Sequence, residues 1–271
     1  MTKVPVSPVN KKKSYYKYYL REMTPPPKEK WDAITEVPGN PQEALHIHDR
    51  NKLFEHGYLP GEFGWWSFDD GTAMIANKTY FPGVSGEMFD WWFAWHPIDR
   101  LRYAIWDPKD HYDVYLEDRG RALNMKLSMR ERHWDSIHYV WEDIGFGQSD
   151  LLQINFKRPK DLGYDESRID TNACNALICG NCMSYGNDVM PELYIVMTHF
   201  LRPVEGGSEL RSRFWFGWQI INGEPVKCIP DGVSIPSVGP ISLLRHNVIE
   251  FTNLTSILPD VYAEEKDNWT K

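Results

Sequence analysis

Four cysteines in 271 residues are too few to staple a fold of this size. Their spacing, Cys174-x4-Cys179-x2-Cys182 with Cys228 downstream, matches a plant-type iron–sulfur pattern on paper. The intervening Asn175-Ala176-Leu177-Ile178 reads as strand, however. On a strand Cys174 and Cys182 face one side and Cys179 the other, so the three cannot grip one cluster. Reduced, packed thiols are the expectation. No apolar run approaches the roughly 20 residues of a membrane helix, and the N-terminus lacks the apolar core of a secretion signal. We therefore expect a cytoplasmic protein with no membrane partner, in which the Asn-x-Thr sequons at Asn77, Asn253 and Asn268 are chance matches. A positive surplus is missing too: 30 basic against 38 acidic residues leave a net charge of -8, which argues against nucleic acid as a partner. The one basic stretch, Lys11-Lys12-Lys13-Ser14-Tyr15-Tyr16-Lys17, reads as a solvated, partly ordered arm. Absent as well are the Gly-x-Ser-x-Gly elbow, the phosphate loop, the dinucleotide fingerprint and the His-Glu-x-x-His helix, with the chemistries they bring.

What is abundant is aromatic surface, 14% of residues with 12 Trp. Such a surplus suits a cavity for a flat, apolar-faced ligand, although large rings also simply fill cores. Residues 1–60 are rich in charge and proline, and Pro25-Pro26-Pro27 interrupts any helix there. A helix is expected over 42–56, after the turn Pro38-Gly39-Asn40-Pro41. A strand is expected over 71–81, and another helix before the His96-Pro97 break in the aromatic stretch 87–106. Strand-like segments follow at 138–144, 151–156, 171–183, 193–204 and 210–221. A final helix over 242–258 should stop at Pro259. Consecutive strands without intervening helices imply an antiparallel sheet, with the last helix packed on one face. The expected class is α+β.

A scatter of His and Glu carries the chemistry. His246 and Glu250, four apart on the last helix, project from one face together with Leu243 and Leu254, so both could reach one metal. A helix-stabilising polar pair is the plainer reading. Glu142, beside Trp141, would need a cation if it pointed inward; a solvated strand end is the alternative. His111 follows a turn and could be an ordinary loop histidine. His199 shares a strand face with Ile195, Met197 and Leu201, so it points inward as a core residue, a ligand or a proton carrier.

Several blocks, in order, resemble the 2,4-diacetylphloroglucinol hydrolase and phloretin hydrolase family. They are Trp91-Trp92-Phe93-Ala94-Trp95-His96-Pro97, Leu101-Arg102-Tyr103-Ala104-Ile105-Trp106, His111, Trp141-Glu142, Thr198-His199-Phe200, Ser212-Arg213-Phe214-Trp215 and His246-x3-Glu250-Phe251-Thr252-Asn253-Leu254. The resemblance spans roughly residues 60–260. It implies a Bet v1-like helix-grip domain over 61–271, preceded by a small dimerisation domain over 1–60, and hence a homodimer. It implies a Zn2+ site held by His111, Glu142, His246 and Glu250, with Tyr103 and His199 against the substrate. Two positions depart from the diacetylphloroglucinol enzyme, where an Asn stands in place of Val114 and a Tyr in place of Phe214. Loss of both polar groups favours a substrate with one acyl group and an apolar tail, such as phloretin.

The implied reaction is hydrolysis of the bond between a ketone carbon and a polyhydroxylated ring. Zinc can bring bound water towards a pKa of roughly 7 or polarise the ketone. Ring hydroxyls allow a keto form, so protonation at carbon lets the ring leave. His199, with an unperturbed value near ~6.5, is the candidate for that proton, and Tyr103 would orient a ring hydroxyl. His96, His133 and His138 are reserves. A non-catalytic helix-grip carrier of aromatic ligands is the competing class, and diacetylphloroglucinol itself the competing substrate.

Overall fold

The protein was analysed as a computed structural model that describes residues 2–188 and 190–269. Strands β1 (Gly64–Ser67), β2 (Ala73–Pro82), β3 (His111–Leu116), β4 (Ile137–Glu142), β5 (Asp150–Lys157), β6 (Ala176–Ser184), β7 (Leu193–Val204) and β8 (Gly207–Phe216) form one antiparallel sheet in the order β1-β2-β8-β7-β6-β5-β4-β3. A separate hairpin joins β9 (Trp218–Ile221) and β10 (Glu224–Lys227). Seven α-helices are described: α1 (Tyr16–Leu20), α2 (Lys28–Ala33), α3 (Gly86–Trp95), α4 (Arg100–Ala104), α5 (Arg119–Ala122), α6 (Met129–His133) and the long α7 (Val238–Glu265).

Alternation sorts β1, β2, β6, β7 and β8 between two apolar clusters, while the apolar residues of β3, β4 and β5 join only one of them. In β2, Ala73, Ile75 and Phe81 join the cluster that holds α3 and α7, while Met74 and Ala76 join the one on the other face. Leu244, Val248, Phe251, Leu254 and Leu258 of α7 are fully buried in the first cluster. An antiparallel sheet around a long C-terminal helix is thus present, as expected.

Differences from expectation have local causes. The 42–56 segment forms two 3-10 pieces, Pro41–Glu43 and Ile47–Phe54. Its buried residues Ile47, Arg50 and Leu53 recur every third position, the spacing that a 3-10 helix eclipses onto one side. The 210–221 stretch breaks at Gly217, whose φ of 83° no other residue adopts easily, and the chain leaves β8 for β9. The 171–183 strand begins only at Ala176, because Cys174 N donates back to Thr171 O at 3.2 Å in a turn. Cys174 consequently lies with Cys179 in the outer cluster, while Cys182 faces the inner one; all four cysteines are free.

Helix α7 does not stop at Pro259 but runs through it. The proline forfeits one hydrogen bond, yet Val261 beyond it is fully buried. Tyr262 stands edge-on to Trp91 at 5.2 Å and donates to Glu87 Oε1 at 2.9 Å. Tertiary packing overrides the breaker.

The N-terminal stretch also departs from the expected solvated arm. Val4, Tyr15, Tyr18 and Tyr19 are buried in the inner cluster, Lys13 pairs with Asp99, and Lys17 pairs with Glu264 at 2.6 Å. No helix among the described residues is long and apolar enough to cross a membrane. Asn77 and Asn253 are buried, out of reach of glycosylation.

Candidate metal centre and substrate cavity

Two neighbour relations of the fold meet at one point. His111 opens β3 directly opposite Glu142, the last residue of β4, and residues opposite one another in an antiparallel pair share a face. Period two along β4 turns His138, Val140 and Glu142 inward together. Across from this pair, α7 presents His246 and Glu250 one turn apart. His111 Nε2 lies 3.4 Å from His246 Nε2 and 3.7 Å from Glu250 Oε2. It is 3.9 Å from Glu142 Oε1, and His246 Nε2 is 3.6 Å from Glu142 Oε2.

These separations suit one cation. Zinc bonds of about 2.0–2.1 Å in a tetrahedron put ligand atoms roughly 3.3–3.4 Å apart. Each of the four residues is over nine-tenths buried. Burial pushes Glu142 up to about 8 and raises Glu250 strongly, with Glu142 and Asp107 adding repulsion to the latter. Burial likewise lowers His246 to about 4 and His111 well below the usual range, so both imidazoles are neutral. Two neutral imidazoles and two carboxylates, with no lysine or arginine among their ion-pair partners in the described residues, form a donor set that a divalent cation would satisfy. His111 Nδ1 is 3.3 Å from Tyr103 O, which fixes the tautomer that turns the Nε2 lone pair inward. On His246, Nδ1 has no hydrogen-bond partner among the described residues. Asp107 and Asp110 bring carboxylate oxygens within 4.8 Å of one of its ring nitrogens.

Beside the four lies an apolar cavity between the sheet and α7. Glu142, His246 and Glu250 reach its wall together with Tyr103, His96, His138 and His199. The remaining wall is mostly hydrocarbon, including Phe146, Ile154, Met197, Phe214 and Leu243. The Tyr103 hydroxyl is buried without a hydrogen-bond partner among the described residues, and its ring stacks on His111 with centroids 4.2 Å apart and planes 8° apart. Trp106 stands edge-on to His111 at 5.2 Å. Among the described residues it is the one tryptophan on this wall, so most of the tryptophan surplus fills core.

His199 points inward as its strand parity requires, and Ser212 Oγ, its cross-strand neighbour on β8, meets its Nδ1 at 2.9 Å. Burial holds His199 at about 3, not near the unperturbed value, so it is a neutral imidazole. Phe214 reaches the cavity wall; Val114 does not. Val114 shares the face of its partner Val140 and packs, half-buried, against the inner cluster. Of the reserve histidines, His96 and His138 line the cavity, whereas His133 sits behind Phe93 with its Nε2 3.8 Å from Asp90. His111, for which the sequence left a loop reading open, is wholly buried.

Sequence reasoning missed Ser212, Asn77 and Asn247. Asn77 appeared only as a sequon, though an asparagine on the inward face shared by Ala73 and Ile75 was itself a signal.

Residues 45–263 match the family described as the DAPG hydrolase PhiG domain. The chain is 42% identical to phloretin hydrolase of Eubacterium ramulus, over 98% of this chain and 96% of that protein. It is 29% identical to 2,4-diacetylphloroglucinol hydrolase of Pseudomonas sp, over 93% of this chain and 88% of that protein. Among solved structures, Ara h 8.0201 is similar at 9% identity and a TM-score of 0.40, over 70% of this chain and 99% of that one.

Proposed function

This chain belongs to the DAPG hydrolase family, and from that premise we propose that it hydrolyses the carbon–carbon bond between an acyl group and a polyhydroxylated aromatic ring. The favoured substrate is a phloretin-like acylphloroglucinol, giving phloroglucinol and an arylpropionic acid. The observation that carries the reading is the convergence of His111, His246 and Glu250, whose ligand atoms lie within 4.8 Å of one another, with Glu142 3.6–3.9 Å from the two histidines, at the polar end of an apolar cavity. A carrier would need the cavity but not four buried, mutually repelling donors.

We assign these four as ligands of Zn2+, which when bound would supply a Lewis acid to activate water or the ketone. The other roles fall to side chains. Hydrolysis requires water to add at the ketone carbon, and the electron pair of the breaking bond to pass into the ring, which takes a proton at carbon. The unpartnered Tyr103 hydroxyl orients a ring hydroxyl and stabilises developing charge. His199, neutral and braced at Nδ1 by Ser212, receives a proton at Nε2 and returns it to the ring carbon. Hydrocarbon around the site excludes bulk water and seats the apolar tail. Free cysteines fit a cytoplasmic setting. A homodimer formed through residues 1–60 completes the proposal, with exposed Val9 and Leu20 available for contact; sedimentation tests it.

Incubating the purified protein with phloretin should release phloroglucinol and the acid, detected by mass spectrometry. Chelation should abolish the reaction and zinc restore it, and His246→Ala or Glu142→Ala should lose both metal and activity. Full turnover by metal-free protein would end the zinc assignment; stoichiometric binding without cleavage would favour the carrier.

A further inference from the structure

Glu250 turns Oε2 towards His111 Nε2, at 3.7 Å, while its other oxygen is engaged by a neighbouring amide. This Oε1 accepts from Asn247 Nδ2 at 3.0 Å. Asn247 Oδ1 in turn accepts from Asn77 Nδ2, on β2, at 2.9 Å. Asn77 Oδ1 accepts from Lys30 Nζ, on α2, at 2.8 Å. Both asparagines are essentially inaccessible, at 1% and 0% exposure.

The polarity of this chain is over-determined. An ammonium can only donate and a carboxylate can only accept. Asn77 must therefore show its oxygen to Lys30, which leaves its NH2 for Asn247, whose NH2 is left for Glu250. A single amide flip anywhere would set two acceptors or two donors against each other. The bonds at the two ends are charge-assisted, and the two amide dipoles between them align head to tail. Lys30 is itself tied down by further bonds to Lys78 O and, at 3.4 Å, to Thr79 Oγ1.

We infer that Lys30, Asn77 and Asn247 are a positioning chain that commits Glu250 to bind metal through Oε2 alone, so that metal affinity depends on the N-terminal segment. The inference rests on the metal reading above. It also differs from mere satisfaction of buried amides, because a purely structural chain would change thermal stability and leave the affinity of the folded protein for zinc untouched.

The test is zinc affinity of the full chain, measured by competition with a chelating dye after metal removal, alongside circular dichroism and melting of the same samples. Asn247→Ala should weaken zinc binding by about tenfold or more, in line with the usual effect of losing a partner that orients a ligand. Lys30→Met, at the half-exposed end, should weaken it severalfold, and Lys30→Arg, which keeps the donors, should lie closer to wild type. Wild-type affinity in either folded Asn247→Ala or Lys30→Met overturns the chain. If Asn247→Ala does not fold, Lys30→Met decides alone. A wild-type protein that binds no zinc overturns the metal reading itself, and this inference with it; a wild type that binds zinc while the variants match it removes only the chain.

Discussion

At the scale of single residues, the proposed site divides into groups assigned to a cation and groups assigned to the substrate, and substitutions should separate them. Tyr103→Phe or His199→Ala should retain zinc while slowing turnover by roughly a hundredfold. Zinc loss from His199→Ala, read by metal analysis, would make that residue a ligand. Substrate choice should follow Phe214 on the wall and Val114, which shares the inward face of the wall residue Val140. Phloretin should exceed diacetylphloroglucinol in kcat/KM, and Val114→Asn combined with Phe214→Tyr should shift the ratio back, since hydrocarbon discriminates weakly and a placed polar group strongly. Legibility at this scale was uneven. The shared, inward face of His246 and Glu250 was legible, because four-residue spacing on a helix with Leu243 and Leu254 fixes it, although a plain polar pair fitted the same spacing. His199 followed from strand parity. His111 and Glu142 did not, because their pairing is a register between two strands whose alignment no local pattern encodes; only the family resemblance named them. The low value of His199 was illegible too, being a property of its Phe93, Phe214 and Phe251 neighbours.

At the scale of elements, the strands of the second half were legible because alternation and turn residues mark them, and β7 coincides with its expected span. The short edge strand β3 was not, as it begins straight after a turn and its bulge between His111 and Asp113 breaks the period. Helix α7 teaches the opposite lesson, since its proline signal was clear and was overruled by packing. Burial beside the proline should therefore control its stability. Leu258→Ala, at a fully buried position, should destabilise the fold by about 2–5 kcal/mol in denaturant titration. Val238→Ala, at the exposed start of the helix, should change it by no more than about 0.5 kcal/mol. Equal effects at the two positions would mean that the helix is held by something other than its buried stripe.

At the scale of the whole molecule, the segment leading into β1 is locked to the outer face of the sheet by Glu62, which lies between Arg211 and Arg213 of β8. Burial would raise the Glu62 carboxyl, but hydrogen bonds from Arg211 and the charges of both arginines prevail and hold it at about 2. That is below the unfolded value of roughly 4.3, so its contribution to stability is complete above about pH 5 and is lost as pH falls towards 2. Glu62→Gln should cost about 3 kcal/mol near neutrality by leaving two buried arginines uncompensated. The gap between variant and wild type, followed by denaturant midpoints, should close progressively below pH 4.5; a gap independent of pH would assign the loss to shape instead of charge. Trp106, finally, gives this molecule an optical consequence. Its indole meets the His111 ring and the cavity at once, and Trp92 lies 6.0 Å away with Trp91 next to it. Light absorbed by that group can migrate to the ring on the cavity wall, so intrinsic emission should dim as the cavity fills and recover as it empties, which would make turnover visible without a label.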